Sequence, residues 1–162
     1  MLKAILCVCA FGLCIVVALL LTRRYRQRKE FFYSWNLFNE RLINEVSYMR
    51  APLAKFIERY SFGGDFQKML HEKKEGEFDR GNYNFSYLSA DEQKFLEDYF
   101  RLVGKSDAAS QRAYLCAVRA EIGERKHVSE EEYKKYFSLY CKLGVLAGLI
   151  LVILIVYCGG GM

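Results

Sequence analysis

Two uncharged apolar runs lie at opposite ends of the 162-residue chain, and each carries its positive charge on the side facing the middle. Ala4 to Leu21 holds 18 residues without a charge. At ~1.5 Å per helical residue these span about 27 Å, enough to cross the hydrocarbon core of a bilayer. Leu143 to Cys158 adds 16 more. Arg23, Arg24, Arg26, Arg28 and Lys29 follow the first run, while Lys134, Lys135 and Lys142 precede the second. Lys and Arg near the ends of membrane spans are retained on the cytoplasmic side. The pattern predicts transmembrane helices at 4–21 and 143–158, both termini outside the cytoplasm, and a cytoplasmic domain over 22–142.

A cleaved secretory signal would need a basic start, a shorter apolar core and a small-residue cleavage site. Here Lys3 is the one charge before the first run and Arg23-Arg24 directly follows it, so the run reads as a retained anchor. Leu6, Val8 and Leu13 precede Cys7, Cys9 and Cys14, which does not fit a lipoprotein signal. The net charge of +5 does not point to nucleic acid either. Lys3 and the cluster at 23–29 supply six of the 24 Lys and Arg, and residues 31–142 are balanced with 18 of each sign. The cluster is accounted for by topology and by attraction to anionic headgroups, about 1 kcal/mol per residue near the surface. Of the six cysteines, Cys7, Cys9, Cys14 and Cys158 lie inside the apolar runs. No pair has zinc-knuckle spacing, so Cys116 and Cys141 read with them as small apolar filler.

The middle of the chain reads as helix throughout. Phe31, Trp35, Phe38, Leu42 and Met49 recur every three or four residues, with Ile43 and Val46 widening the stripe, so one amphipathic helix continues from the anchor to Arg50. Pro52 disfavours helix at Ala51 but suits the first turn of a new helix through Leu53, Phe56, Ile57 and Tyr60. Gly63-Gly64 breaks the chain, and Asp65 is placed to cap a short helix bearing Phe66, Met69 and Leu70. The charged, glycine-punctuated stretch from Glu72 to Asn84 reads as a surface loop. Ser89 and Glu92 form a capping-box pattern ahead of a helix with Phe95, Leu96, Tyr99, Leu102 and Val103 on its apolar face, stopped by Gly104. Ser106 or Asp107 then caps the longest helix, carrying Leu115, Val118, Ile122, Tyr133, Tyr136 and Tyr140, which enters the second span with no proline to force a bend near 123–129. The expected fold class is all-α: an antiparallel helical bundle between an N-terminal and a C-terminal transmembrane helix.

Catalytic groups do not assemble in this pattern. His71 and His127 are the two histidines; His71 with Glu72 and Glu75 could face a metal, but Lys73 and Lys74 mark that surface as solvated. Cys116 or Cys141 with His127 could make a nucleophile and base, yet no orienting carboxylate accompanies them. Gly63-Gly64-Asp65-Phe66 has the letters of a diguanylate cyclase signature without its β-hairpin. No phosphate-cradling glycine loop ending in Lys-Ser or Lys-Thr occurs. The expectation is a non-enzymatic protein with no cofactor and no metal.

Glu45-Val46-Ser47-Tyr48 with Pro52-Leu53, Val103-Gly104-Lys105-Ser106-Asp107 with Gln111, and Tyr136 through Leu149 resemble the stage III sporulation protein AB family over nearly the full length of the chain. The first helix is more aromatic than the family pattern, and the loop at 71–84 also departs from it. The resemblance implies a part of the channel complex between mother cell and forespore, on the mother-cell side of the membrane around the forespore. It implies a cytoplasmic domain similar in fold to domains of the type II secretion platform protein, and as partners a secretion-type ATPase and other channel subunits. On that reading Arg101, Gly104, Lys105, Ser106 and Asp107 form the candidate partner-binding tip of the bundle, against the plainer alternative of a capped turn. Glu45, Tyr48 and Pro52 read as a structural corner. A membrane-tethered regulatory scaffold outside sporulation is the competing reading, and gene neighbourhood separates the two.

Overall fold

The computed structural model describes residues 2–48, 53–75 and 84–158. It contains α1 (Leu2–Tyr48), α2 (Leu53–Arg59), α3 (Gly64–Glu75), α4 (Ala90–Leu102) and α5 (Ala108–Cys158), with no strand among the described residues. The all-helical fold class therefore stands. The expected end of the first helix at Arg50 and the corner residue Pro52 lie outside the described residues, as does the side chain of Tyr48.

The chain divides into two compact units, Gln27–Glu130 and Met1–Arg26 with Glu131–Met162. In the first unit, the aromatic stripe of α1 is the core. Phe31, Phe32, Trp35, Phe38 and Leu42 are buried together with Phe56 and Ile57 of α2, Phe66, Met69 and Leu70 of α3, Leu96, Tyr99 and Phe100 of α4, and Leu115 and Ile122 of α5. Phe38 meets Phe56, Phe62 and Phe66 edge-on at ring centroid distances of 5.3–5.6 Å. That geometry sets the positive rim of one ring against the negative face of another, worth about 0.5–1.5 kcal/mol per pair beyond area burial. One polar thread crosses this core: the buried Tyr99 hydroxyl donates to Asn39 Oδ1 at 3.0 Å, and Asn39 Nδ2 donates to the Leu115 carbonyl at 3.3 Å. It links α1, α4 and α5, because a buried amide must find partners or bear the cost of desolvation.

Local signals set most helix ends. Ser89 Oγ accepts from Glu92 N at 3.2 Å and Glu92 Oε2 accepts from Ser89 N at 2.8 Å, completing the capping box of α4. Four readings need correction. Helix α3 starts at Gly64, whose φ of 60° is open to glycine, so Asp65 is inside the first turn rather than its cap. There its carboxylate accepts from Tyr87 Oη at 3.2 Å and pairs with Lys68 at 2.9 Å, a charge that also suits the helix dipole. Residues 72–75, read as loop, continue α3, and Lys73 is 1 % exposed with Nζ 5.1 Å from the Phe100 ring centroid. The long Lys stem packs like a hydrophobe, which a charge count misses. On α4 the core residue is Phe100, whereas Leu102 is 48 % exposed.

The second unit is built from the two apolar ends. Here α1 and α5 run antiparallel: Gly144 approaches Ala18 and Cys14, Gly148 faces the Phe11 ring, and Tyr25 stacks on Tyr136 at 4.3 Å between centroids. A Cβ at Gly148 would come within 2.5 Å of Phe11 Cδ2, and one at Gly144 within 3.0 Å of Ala18 Cβ. A side chain at Gly148 would therefore displace the Phe11 ring, and one at Gly144 would press tightly on Ala18 and the Cys14 carbonyl. Away from this seam the unit is apolar on its outside, with Val8 73 % and Leu154 57 % exposed. Both helices are long and apolar enough to cross a membrane.

Candidate functional site

The turn from α4 to α5 is fixed from within. Val103 N donates to the Tyr99 carbonyl at 3.1 Å, and Gly104 follows at φ 84°, a left-handed conformation that reverses the chain. Gln111, one turn into α5, holds the loop in place: its Oε1 accepts from Gly104 N at 3.0 Å and from Ser106 Oγ at 3.2 Å. Gln111 Nε2 is buried without a hydrogen-bond partner among the described residues. Asp107 Oδ2 accepts from the N–H groups of Ala109 and Ser110 at 3.1 and 3.2 Å, so Asp107 rather than Ser106 caps α5. Ser110, through its side chain and backbone, holds the Asp107 carboxyl below the usual carboxylate range.

Of the five tip residues, Gly104, Ser106 and Asp107 thus shape the turn. Arg101 and Lys105 are exposed beside it, and Arg101 pairs with Asp98 at 2.7 Å. Gln111, noted in the sequence as a motif letter, is the residue on which this geometry depends. Its two bonds could not be read without knowing that the chain doubles back on α5.

Where α1 meets α2, beside this turn, Glu45 is buried and accepts from Arg59 Nη1 at 2.7 Å. Among the topology charges, Arg23, Arg24 and Lys142 are exposed, while Arg28 departs from the headgroup role read for it. Its guanidinium turns into the bundle, with Nη2 2.5 Å and Nε 3.1 Å from Glu92 Oε1. Glu92 closes the capping box with its other oxygen, so one buried carboxylate serves a helix end and an ion pair together.

An open groove of about 480 Å³ runs between α1 and α5, lined by Asn36, Glu40, Cys116, Arg119, Lys126 and His127 among others. Cys116 and His127 both reach it, but eleven positions on one helix separate them by ~16 Å, far beyond hydrogen-bond distance. His71 lies within 2.7 Å of Gln67 Nε2 on the exposed side of α3. Among the described residues no three His, Cys, Asp or Glu side chains converge as a metal site would require.

No curated protein and no solved structure matches the chain. The family profile of stage III sporulation protein AB matches residues 3–156. That span takes in both apolar arms, the aromatic bundle and the Gln111-braced turn, and the chain belongs to the stage III sporulation protein AB family.

Proposed function

We propose that this protein is a non-enzymatic, membrane-anchored component of the channel complex between mother cell and forespore, and that its bundle docks a secretion-type ATPase. The observation that carries the reading is the division of labour along the chain. Two apolar arms pack on each other through glycine, and between them in sequence stands an aromatic-cored unit with a stiff, charged turn. Membership of a sporulation family supplies the setting. The inward-facing cations support both termini outside the cytoplasm and the bundle inside it. Tethering by two arms raises the effective concentration of a weak docking surface.

Arg101 and Lys105 are the residues placed to meet the ATPase, because both are exposed cations beside a turn whose shape Gly104, Ser106, Asp107 and Gln111 set. The test uses full-length protein in detergent with a secretion-type ATPase from the same genome. Arg101→Glu with Lys105→Glu is expected to weaken co-purification at least tenfold while helical content stays unchanged. Undiminished capture would remove this surface, and reporter fusions placing residues 60–120 outside the cytoplasm would remove the orientation.

A further inference from the structure

Two basic clusters that are over a hundred residues apart in sequence meet in the second unit. Tyr25 stacks on Tyr136 at 4.3 Å, and Gly144 and Gly148 fix the same antiparallel register deeper in the arms. With residue 25 opposite 136, residues 134 and 135 lie opposite 27 and 26. Arg23, Arg24, Arg26, Lys134 and Lys135 therefore fall within about four residue levels, a slab ~6 Å thick at 1.5 Å per residue. That matches the ~5–7 Å of polar headgroup on each side of a bilayer. All five are exposed, and the slab borders directly on exposed Leu19, Leu20, Leu139 and Leu143. Lys142 is exposed deeper along α5. Glu131 and Glu132 are the acidic residues of these segments, and they lie on the far side of the lysines from the apolar surface. Tyr136 also stacks on Tyr140, giving the slab the amphipathic rings that settle at a membrane interface.

We propose that Arg23, Arg24, Arg26, Lys134 and Lys135 form one binding surface for anionic phospholipid headgroups around the paired arms. Within the slab the first arm supplies Arg23, Arg24 and Arg26 and the second Lys134 and Lys135, and together they reach the four to eight cations that mark such recognition. The continuity of the cations with bare apolar surface favours a lipid over an acidic protein or nucleic acid, neither of which would cover the leucines. The inference rests on the membrane-anchored reading above and adds a lipid preference to it.

The test reconstitutes the full-length protein in nanodiscs of equal phosphatidylglycerol and phosphatidylcholine and weighs the lipids retained on the protein by native mass spectrometry. Phosphatidylglycerol should be enriched, with enrichment falling about fivefold per cation removed, the equivalent of ~1 kcal/mol each. Arg23→Gln, Arg24→Gln, Lys134→Gln and Lys135→Gln together should abolish it, whereas Arg23→Lys with Arg24→Lys should retain it. Equal retention of the two lipids by the wild type, or unchanged enrichment in the quadruple variant, overturns the proposal. If the protein is released from cell membranes by alkaline carbonate, the anchored reading fails and the lipid surface fails with it. If it resists carbonate yet shows no preference, only the lipid surface fails.

Discussion

The two units hold their helices together by opposite means. In Gln27–Glu130 bulky rings fill the space between helices, and Trp35, Phe38 and Tyr99 are fully buried. In the unit of the arms the helices meet where side chains are missing, at Gly144 and Gly148, with Phe11 laid against the gap, while most of the large aliphatic residues are exposed. Water drives the first arrangement, since each buried ring removes apolar area from solvent. An apolar surround offers no such drive, and helices then gain most by bringing backbones close enough for dispersion contacts. One chain thus carries two packing rules, the second of the kind that suits an apolar surround.

Deleting a ring from the bundle is the strongest way to break this comparison. Phe38→Ala should destabilise the bundle by about 3–5 kcal/mol, the usual cost of emptying an aromatic core position, read by urea unfolding followed through Trp35 fluorescence. Leu13→Ala in the arms, at a position 66 % exposed, should leave the same transition in place. Equal losses from the two variants would mean that the arms are packed by burial from water after all.

Glu92 tests whether polar contacts matter in the bundle beyond the aromatic core. Glu92→Ala removes half of the capping box and leaves the largely buried Arg28 without its carboxylate, so a loss of about 3 kcal/mol is expected. Pairing Glu92→Gln with Arg28→Met in a double-mutant cycle isolates the ion pair from the cap. Additive losses would show that the two residues act separately.

Periodicity made most of this architecture legible. The α1 stripe, the capping box, the stop at Gly104 and the uninterrupted α5 all follow from spacing that the backbone enforces locally. What stayed hidden depended on partners distant in sequence. Arg28 looked like a membrane-end charge because Glu92 is 64 positions away. Lys73 looked solvated because the Phe100 ring that covers it belongs to another helix. The Gly144-to-Gly148 spacing carries a known helix-packing signal, a small residue every four positions in an apolar run, that could have been read from sequence. Its target, Phe11 and Ala18, could not.

That spacing supplies the next test. Gly148→Ala would push its Cβ to 2.5 Å from Phe11 Cδ2, forcing the ring aside at a cost of about 1–3 kcal/mol in detergent. Phe11→Leu in the same chain should restore much of it by freeing the space. Such rescue by a smaller partner is expected of a steric seam, and failure to rescue would place the constraint on the backbone instead.

The smallest expected effect separates cap from contact at the α4–α5 turn. The Asp107 carboxyl is held below its ordinary pKa by Ser110 and the N–H groups of α5. A depressed carboxyl stabilises the fold above the unfolded-state pKa, near 3.8, and that contribution disappears as pH falls through the lower folded-state value. Asp107→Asn keeps the accepting oxygen without titrating, so the melting temperature of the wild type should fall towards that of Asp107→Asn between ~pH 5 and ~pH 2. Asp107→Ala, which loses the acceptor, should melt lowest at neutral pH. Capture of the ATPase by Asp107→Asn at neutral pH then has two readings. Retained capture confines the carboxylate to shaping the turn, and lost capture with no more than this small drop in melting temperature assigns it to the partner's surface beside Arg101 and Lys105.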